Sequence, residues 1–265
     1  MKKGLRIALI VMLVVSLVAV AGCGSSTPAP TPAPTPAPAE VKVLKVGSDV
    51  AYAPFEFFDE KQKATGFDID LINAIAEDLG YKTQIETSAF DGLIPSLQAG
   101  KYDCVISAMT ITPERAKSVK FSDPYFKAVQ YIAFKKGGKY QKIADLKGKK
   151  VGVQLNTTGQ FAVEDKGITT KKFDTTPDAL NALLIGGVDV VVADNQPVLS
   201  FIEANKAGNI ECVTADTADE FYGIAFKIDN TQLADKVNAT LKKFKENGKY
   251  AEIYKKWFKG EIPKF

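Results

Sequence analysis

Residues 93–107 read LIPSLQAGKYDCVIS, and residues 179–193 read ALNALLIGGVDVVVA. At an offset of 86, Leu97 falls on Leu183, Gly100 on Gly186 and Asp103 on Asp189. Each stretch reads as a helix end, a glycine stop, an aspartate and an apolar strand. A second correspondence supports the first: Val46-Gly47 and Val151-Gly152, 105 residues apart, both open strand-like runs. The spacing predicts an α/β protein with two similar lobes. Two unrelated α/β units would share part of this pattern, so both readings stand on these residues.

Working outward, residues 41–47 read as a first strand and residues 48–54 as a loop. A helix opened by GFDIDL follows, with Leu71, Ile72, Ile75, Ala76 and Leu79 at a 3.6 period and Gly80 as its stop. Residues 90–97 suggest a short helix and residues 104–107 a strand, an order that implies a mainly parallel sheet. KAVQYIAF at 127–134 and EFYGIAF at 220–226 each carry an aromatic before Ile-Ala-Phe. They read as two crossings between lobes, the second returning the chain to the first lobe. Residues 231–258 read as helical, with Leu233, Val237, Leu241 and Phe244 on one stripe. Tyr250, Tyr254, Trp257 and Phe258 are expected to pack against that lobe rather than bind a ligand. The expected division is residues 41–129 plus 223–265 for lobe 1 and 130–222, with the crossings, for lobe 2.

The 265 residues are 46% hydrophobic and 25% charged, a globular profile. Histidine is absent, which excludes Ser-His-Asp and Cys-His catalysis and His-ligated metal sites. The net charge of +3 comes wholly from Lys2, Lys3 and Arg6, so the remainder is balanced and no nucleic-acid surface is indicated. No G-x-x-x-x-G-K-[ST] loop is present. An apolar run over residues 7–21, broken only by Ser16, has the length of a secretion signal. It ends in V-A-G-C at Cys23, which resembles the bacterial lipobox. That resemblance implies cleavage after residue 22 and lipidation of Cys23, whose two or more acyl chains would tether durably. Residues 24–40, with proline at every second position from Pro28, read as an extended spacer reaching on the order of 50 Å. Cys104 lies in an apolar run and reads as a small buried hydrophobe. It is placed in a different lobe from Cys212, where a bridge would hinder hinge motion.

GFDIDLINAIAEDLG and FDGLIPSLQAGKYDCVISAMTITPERAKSVKFSDPY resemble the extracellular solute-binding proteins of family 3, which serve bacterial ABC importers of polar amino acids. The resemblance runs from Val43 to about Phe258. It implies a type II periplasmic-binding-protein fold: two Rossmann-like α/β lobes, a two-strand hinge, and a ligand cleft that closes. A free amino acid brings a carboxylate, an ammonium and a side chain, and each charge needs a partner in a dry cleft. By resemblance, Arg115 in TITPER clamps the carboxylate through its two-pronged guanidinium. Thr110 and Thr158, with nearby N–H groups, share it. Asp194 takes the ammonium from the end of its strand, assisted by Ser107 through its carbonyl or hydroxyl, next to Ala108. Asp49, Tyr52, Phe90 and Gln154 line the side-chain end, the two rings enclosing a flat or cationic group.

The sequence departs from the family's usual GTTG at Asn156, a residue that tolerates the left-handed backbone. It departs again at Gln160, expected at the rim, where an acid is frequent. Glutamine rather than lysine at 154, with Asp49, favours arginine. L-glutamine is the alternative, followed by lysine or histidine. The expected partners are a free amino acid and the importer's permease subunits. The protein is expected to act as an extracytoplasmic, lipid-anchored monomer without cofactor or catalysis. Two further readings share the architecture. One is a cyclohexadienyl dehydratase-like enzyme, for which Glu56 or Glu164 could be nominated as the proton-transferring group. The other is a sensor domain with a separate membrane partner.

Overall fold

Asp103 and Asp189, the aspartates of the repeat, perform one task in two places. Asp103 accepts the N–H of Lys45 at 2.8 Å and returns its own N–H to the Lys45 carbonyl at 2.8 Å. Asp189 does the same with Lys150, again at 2.8 Å each way. The clip fixes register. Val46 pairs with Cys104 and Gly47 with Val105 in one sheet; Val151 pairs with Val190 and Gly152 with Val191 in the other. Offsets of 105 and 86 carry the first set onto the second, so the two lobes share one design. The glycines match as well: Gly100 and Gly186 both hold a left-handed backbone, φ 80° and 82°, where a helix ends.

The computed structural model describes residues 42–263. The signal-like run, Cys23 and the proline spacer lie outside the described residues. The first sheet has the order Tyr81–Thr87, Lys42–Ser48, Cys104–Val105, Ala225–Lys227, Val119–Phe121. The second runs Thr170–Phe173, Val151–Gln154, Val190–Asp194, Gln130–Lys135, Ile210–Thr214. In each, the first three strands are parallel and the last two join antiparallel. The expected mainly parallel sheets are therefore mixed. Ala225–Lys227 and Gln130–Lys135 arrive by crossing from the other lobe, enter from the opposite end and need no helical crossover. The crossings themselves pair as a ribbon, Phe126–Ala128 against Glu220–Tyr222.

Several local expectations shift. The loop after the first strand contains Ala51–Tyr52, paired with Glu56–Phe58. The strand expected over 104–107 is only Cys104–Val105, because the chain turns away at Ala108, φ 44°. The C-terminal helix is two helices, Thr231–Asn247 and Lys249–Trp257, broken at Gly248 in a left-handed conformation. Tyr250, Tyr254 and Phe258 pack with Phe67, Tyr125, Phe126 and Tyr222 in the core of the first lobe. Along Val190–Asp194, Val191 and Ala193 enter one core and Val190 and Val192 another, so this strand is covered on both faces. Cys104 and Cys212 lie in different sheets and both are free.

Candidate functional site

In both lobes the parallel strands end facing one cavity, the position open α/β sheets reserve for ligands. Asp49 follows Lys42–Ser48, Ser107 and Ala108 follow Cys104–Val105, and Gln154 and Asp194 end their own strands. The lobes leave only a narrow cavity between these strand ends, with about 20 Å³ open to the centre of a water-sized sphere. Its lining contains Asp49, Tyr52, Phe90, Ser107, Ala108, Thr110, Arg115, Gln154, Thr158 and Asp194, together with Glu56 and Thr157. The structure thus brings together in one place all ten cavity residues expected from the sequence.

Arg115 comes from the short helix Pro113–Ala116, whose N-cap Thr112 accepts the Arg115 N–H. The guanidinium reaches across the cleft. It donates to the Thr110 carbonyl at 2.8 Å and to the Asn156 carbonyl of the second lobe at 3.0 Å. Its carbon lies 5.2 Å from the Phe90 ring centroid, so Phe90 backs the clamp as well as lining the pocket. Burial lowers the pKa of Arg115, opposed by the charges of Glu220 and Asp194; a guanidinium stays protonated regardless. The Thr110 hydroxyl donates to Glu220 at 2.6 Å and the Thr158 hydroxyl to the same oxygen at 2.8 Å. Asn156 takes the left-handed backbone, φ 63°. Gln160 is not at the rim: it is buried, accepts the Asn156 N–H at 2.7 Å and donates to Glu164. The turn needs an acceptor there, and a neutral amide supplies it while also tying down Glu164.

Asp194 stands at the N-cap position of Asn195–Ala204 but makes no side-chain cap bond. Its carboxylate is turned inward instead, accepting from Tyr52 at 2.8 Å, from Tyr222 and from Gln130. Burial pushes its pKa up to about 7, with the charge of Glu220 adding to the shift and the three donors opposing it. At the far end, Gln154 donates to Asp49 across the cleft at 2.7 Å, and its oxygen accepts from Thr176. Burial pushes Asp49 up to about 6, against the Gln154 bond.

The Ser107 hydroxyl is already committed. It accepts the Asp49 N–H and donates to Glu56, both at 2.9 Å. Behind it Asp68 accepts from the Ala108 N–H at 2.8 Å and the Tyr125 hydroxyl at 2.7 Å. Glu56 Oε2 and Asp68 Oδ1 are buried without a donor when both carboxyls are ionised. Burial, with Asp68 beside it, raises the pKa of Glu56 well above the carboxylate range; burial alone raises Asp68, to about 6. One proton between the two carboxyls satisfies both oxygens. Glu164 does not line the cavity. Gln160, Thr170 and Lys172 hold its pKa below the ordinary value.

Glu220, Gln130 and Tyr222 belong to this network and were missed by the sequence reading. Their signal was present: an amide and an acid in the two crossing stretches, each directly before an aromatic residue. The arrangement offers one fixed cation and, on the far walls, separate carboxylates, the requirements of a zwitterion with a polar side chain.

The family model for bacterial extracellular solute-binding proteins, family 3, matches residues 44–260. A probable histidine-binding protein of Neisseria gonorrhoeae is 37% identical over 226 residues, covering 83% of this chain and 84% of that protein. Solved structures of an ancestral arginine-binding protein, one bound to glutamine and one to arginine, are 46% identical with a TM-score of 0.78. Each covers 82% of this chain, and 97% and 98% of the respective ancestral chains is covered. The fold, the shared cavity and these similarities agree: the chain belongs to the bacterial extracellular solute-binding proteins of family 3.

Proposed function

We propose that the protein captures a free L-amino acid between its lobes and delivers it to the permease of an ABC importer, with L-arginine the preferred ligand. The observation that carries the reading is that Arg115 and Asp194, of opposite charge and from different lobes, line one cavity. Arg115 takes the ligand carboxylate and Asp194 the ammonium, displacing part of its hydroxyl and amide shell. Asp49, with Gln154 beside it, receives the distal group, and Tyr52 and Phe90 flank it. Charge supports arginine: Asp49, Asp194 and Glu220 together outweigh the single cation of Arg115. The second reading, L-glutamine, is favoured by the amide of Gln154 and by the glutamine-bound ancestral relative. Calorimetry with the twenty amino acids separates them. Arginine binding tightest supports the first, and no binding by any amino acid overturns both.

The division into residues 41–129 plus 223–265 and 130–222 is part of this proposal, the ribbon of crossings acting as the hinge. So is lipidation of Cys23, which mass spectrometry of the mature N-terminus tests. We also take the protein to be a monomer that performs no catalysis. Incubation with prephenate or arogenate, with product formation as the contrary result, tests the latter.

A further inference from the structure

Glu220 stands on the crossing strand Glu220–Tyr222 and belongs to the site's hydrogen-bond network without being assigned a contact to the ligand. One of its oxygens, Oε2, accepts both the Thr110 hydroxyl at 2.6 Å and the Thr158 hydroxyl at 2.8 Å. The other, Oε1, accepts from Gln130 at 3.0 Å. Thr110 follows the first-lobe strand Cys104–Val105 and bridges Tyr222 on the crossing; Thr158 opens the helix Thr158–Glu164 of the second lobe. Two bonds from different lobes to one oxygen atom can coexist at only one lobe separation.

The same bonds decide what the threonines offer a ligand. A hydroxyl has a single proton, and here both protons are spent on Glu220. Neither hydroxyl retains a donor for an incoming carboxylate. The backbone does. Thr110 forms an antiparallel bridge with Tyr222 in which the flanking N–H groups donate, Ile111 to Phe221 at 2.8 Å and Gly223 to Met109 at 3.0 Å. That alternation turns the Thr110 N–H to the opposite edge. Thr158 is the first residue of its helix, where an N–H has no intrahelical acceptor.

We propose that Glu220 is an interlobe clasp: a positioning residue that takes the Thr110 and Thr158 hydroxyls on closure, so that neither hydroxyl donates to the ligand. The proposal rests on the amino-acid-binding reading, since it concerns the groups that meet the amino acid's carboxylate. Glu220 then acts on the equilibrium between open and closed lobes. Arg115 acts on ligand recognition itself. The clasp also explains why a third carboxylate is tolerated beside a carboxylate subsite: its two oxygens are occupied by three donors, and the Arg115 charge lies next to it.

The test uses the mature protein with L-arginine and L-glutamine as probes, stopped-flow release, and small-angle scattering without ligand. Glu220→Ala, Thr110→Val and Thr158→Val are each expected to speed release by about tenfold or more, as expected for lost charge-assisted bonds, and to expand the unliganded molecule. Thr110→Ser and Thr158→Ser retain the hydroxyl and are expected to restore both readouts, which a packing role for the methyl group would not. Glu220→Gln keeps the shape but turns an N–H toward the Gln130 amide, and is expected to release faster than wild type. If Arg115→Ala loses binding while Glu220→Ala leaves release and scattering unchanged, the clasp is overturned and the binding reading survives. If the valine variants lose affinity as Arg115→Ala does while Glu220→Ala has no effect, the hydroxyls serve the ligand directly and the clasp is again overturned. If the wild type binds neither probe, the binding reading fails, and expansion of unliganded Glu220→Ala alone then supports or refutes the clasp.

Discussion

Arg115 is oriented before any ligand arrives. Two of its N–H groups lie on the carbonyls of Thr110 and Asn156 and its face lies near Phe90. A guanidinium fixed in this way loses little side-chain freedom on binding, which is what preorganisation contributes. Arg115→Ala is expected to weaken amino-acid binding by about 2–5 kcal/mol, the range for truncating one partner of a buried charge pair, with far-UV circular dichroism unchanged. Affinity close to wild type in calorimetry would remove the clamp assignment. At the other end, Asp49 accepts from Gln154 and faces the side-chain subsite. Asp49→Asn removes the charge but keeps an acceptor, so arginine should lose far more affinity than glutamine. Equal losses would take away the electrostatic reason for preferring arginine.

Among the elements, the repeated strand openings use glycine for different degrees of crowding. A Cβ at Gly47 would lie 2.5 Å from the ring of Tyr102, a position no side chain can share without moving that ring. A Cβ at Gly152 would meet Phe173, Val188 and Val191 side chains at 3.2–3.3 Å, where small shifts suffice. Gly47→Ala is therefore expected to destabilise by about 1–3 kcal/mol through overpacking, and Gly152→Ala by clearly less. Urea unfolding of the two variants compares them; the reverse order would contradict the packing argument. The sequence showed the two glycines in equivalent places and the two aspartates after matching helix stops. It carried no sign that the tyrosine ring crosses one glycine and not the other. That difference is made by Tyr102, which has Val188 as its counterpart in the repeat.

For the whole molecule, the buried acids make stability and binding depend on pH with opposite signs. Asp49 and Asp68 are raised to about 6 and Asp194 to about 7, from an ordinary value of 3.8. The folded, unliganded protein thus holds protons that the unfolded chain has released. Stability contributed by these groups falls as pH rises from about 4 to about 7. Thermal melts without ligand check this; a melting temperature rising steadily across that window would refute it. A bound ammonium beside Asp194, and a cationic side chain beside Asp49, favour the ionised carboxylates. Binding should release protons, and affinity should rise between about pH 5 and 7 by up to about tenfold per pH unit for each proton released. Arginine should release more than glutamine, since only arginine brings a cation to Asp49. Calorimetry in two buffers of different ionisation enthalpy counts the protons, and identical heats for both ligands in both buffers would sink the prediction.

By itself the sequence determined an α/β plan, through a repeat of helix stop, aspartate and apolar strand, and its resemblance to family 3 implied that the repeat marks two lobes. The resemblance to family 3, carried by motifs such as TITPER at 110–115, implied the ten residues that meet at the cavity. These features are local: a period, a spacing, a charge at the edge of a sheet. Tertiary structure alone decided how each polar group is satisfied. Ser107 is taken by Glu56 and Asp49, the threonine hydroxyls by Glu220, and Gln160 by the backbone of Asn156. Glu220 lies 110 residues beyond Thr110 and 62 beyond Thr158. Hydrogen bonds at such separations exist only once two crossings have folded back on each other. No pattern along the chain records which donor reaches which acceptor, because that choice depends on distances of a few ångströms between elements and on the exclusion of water around them.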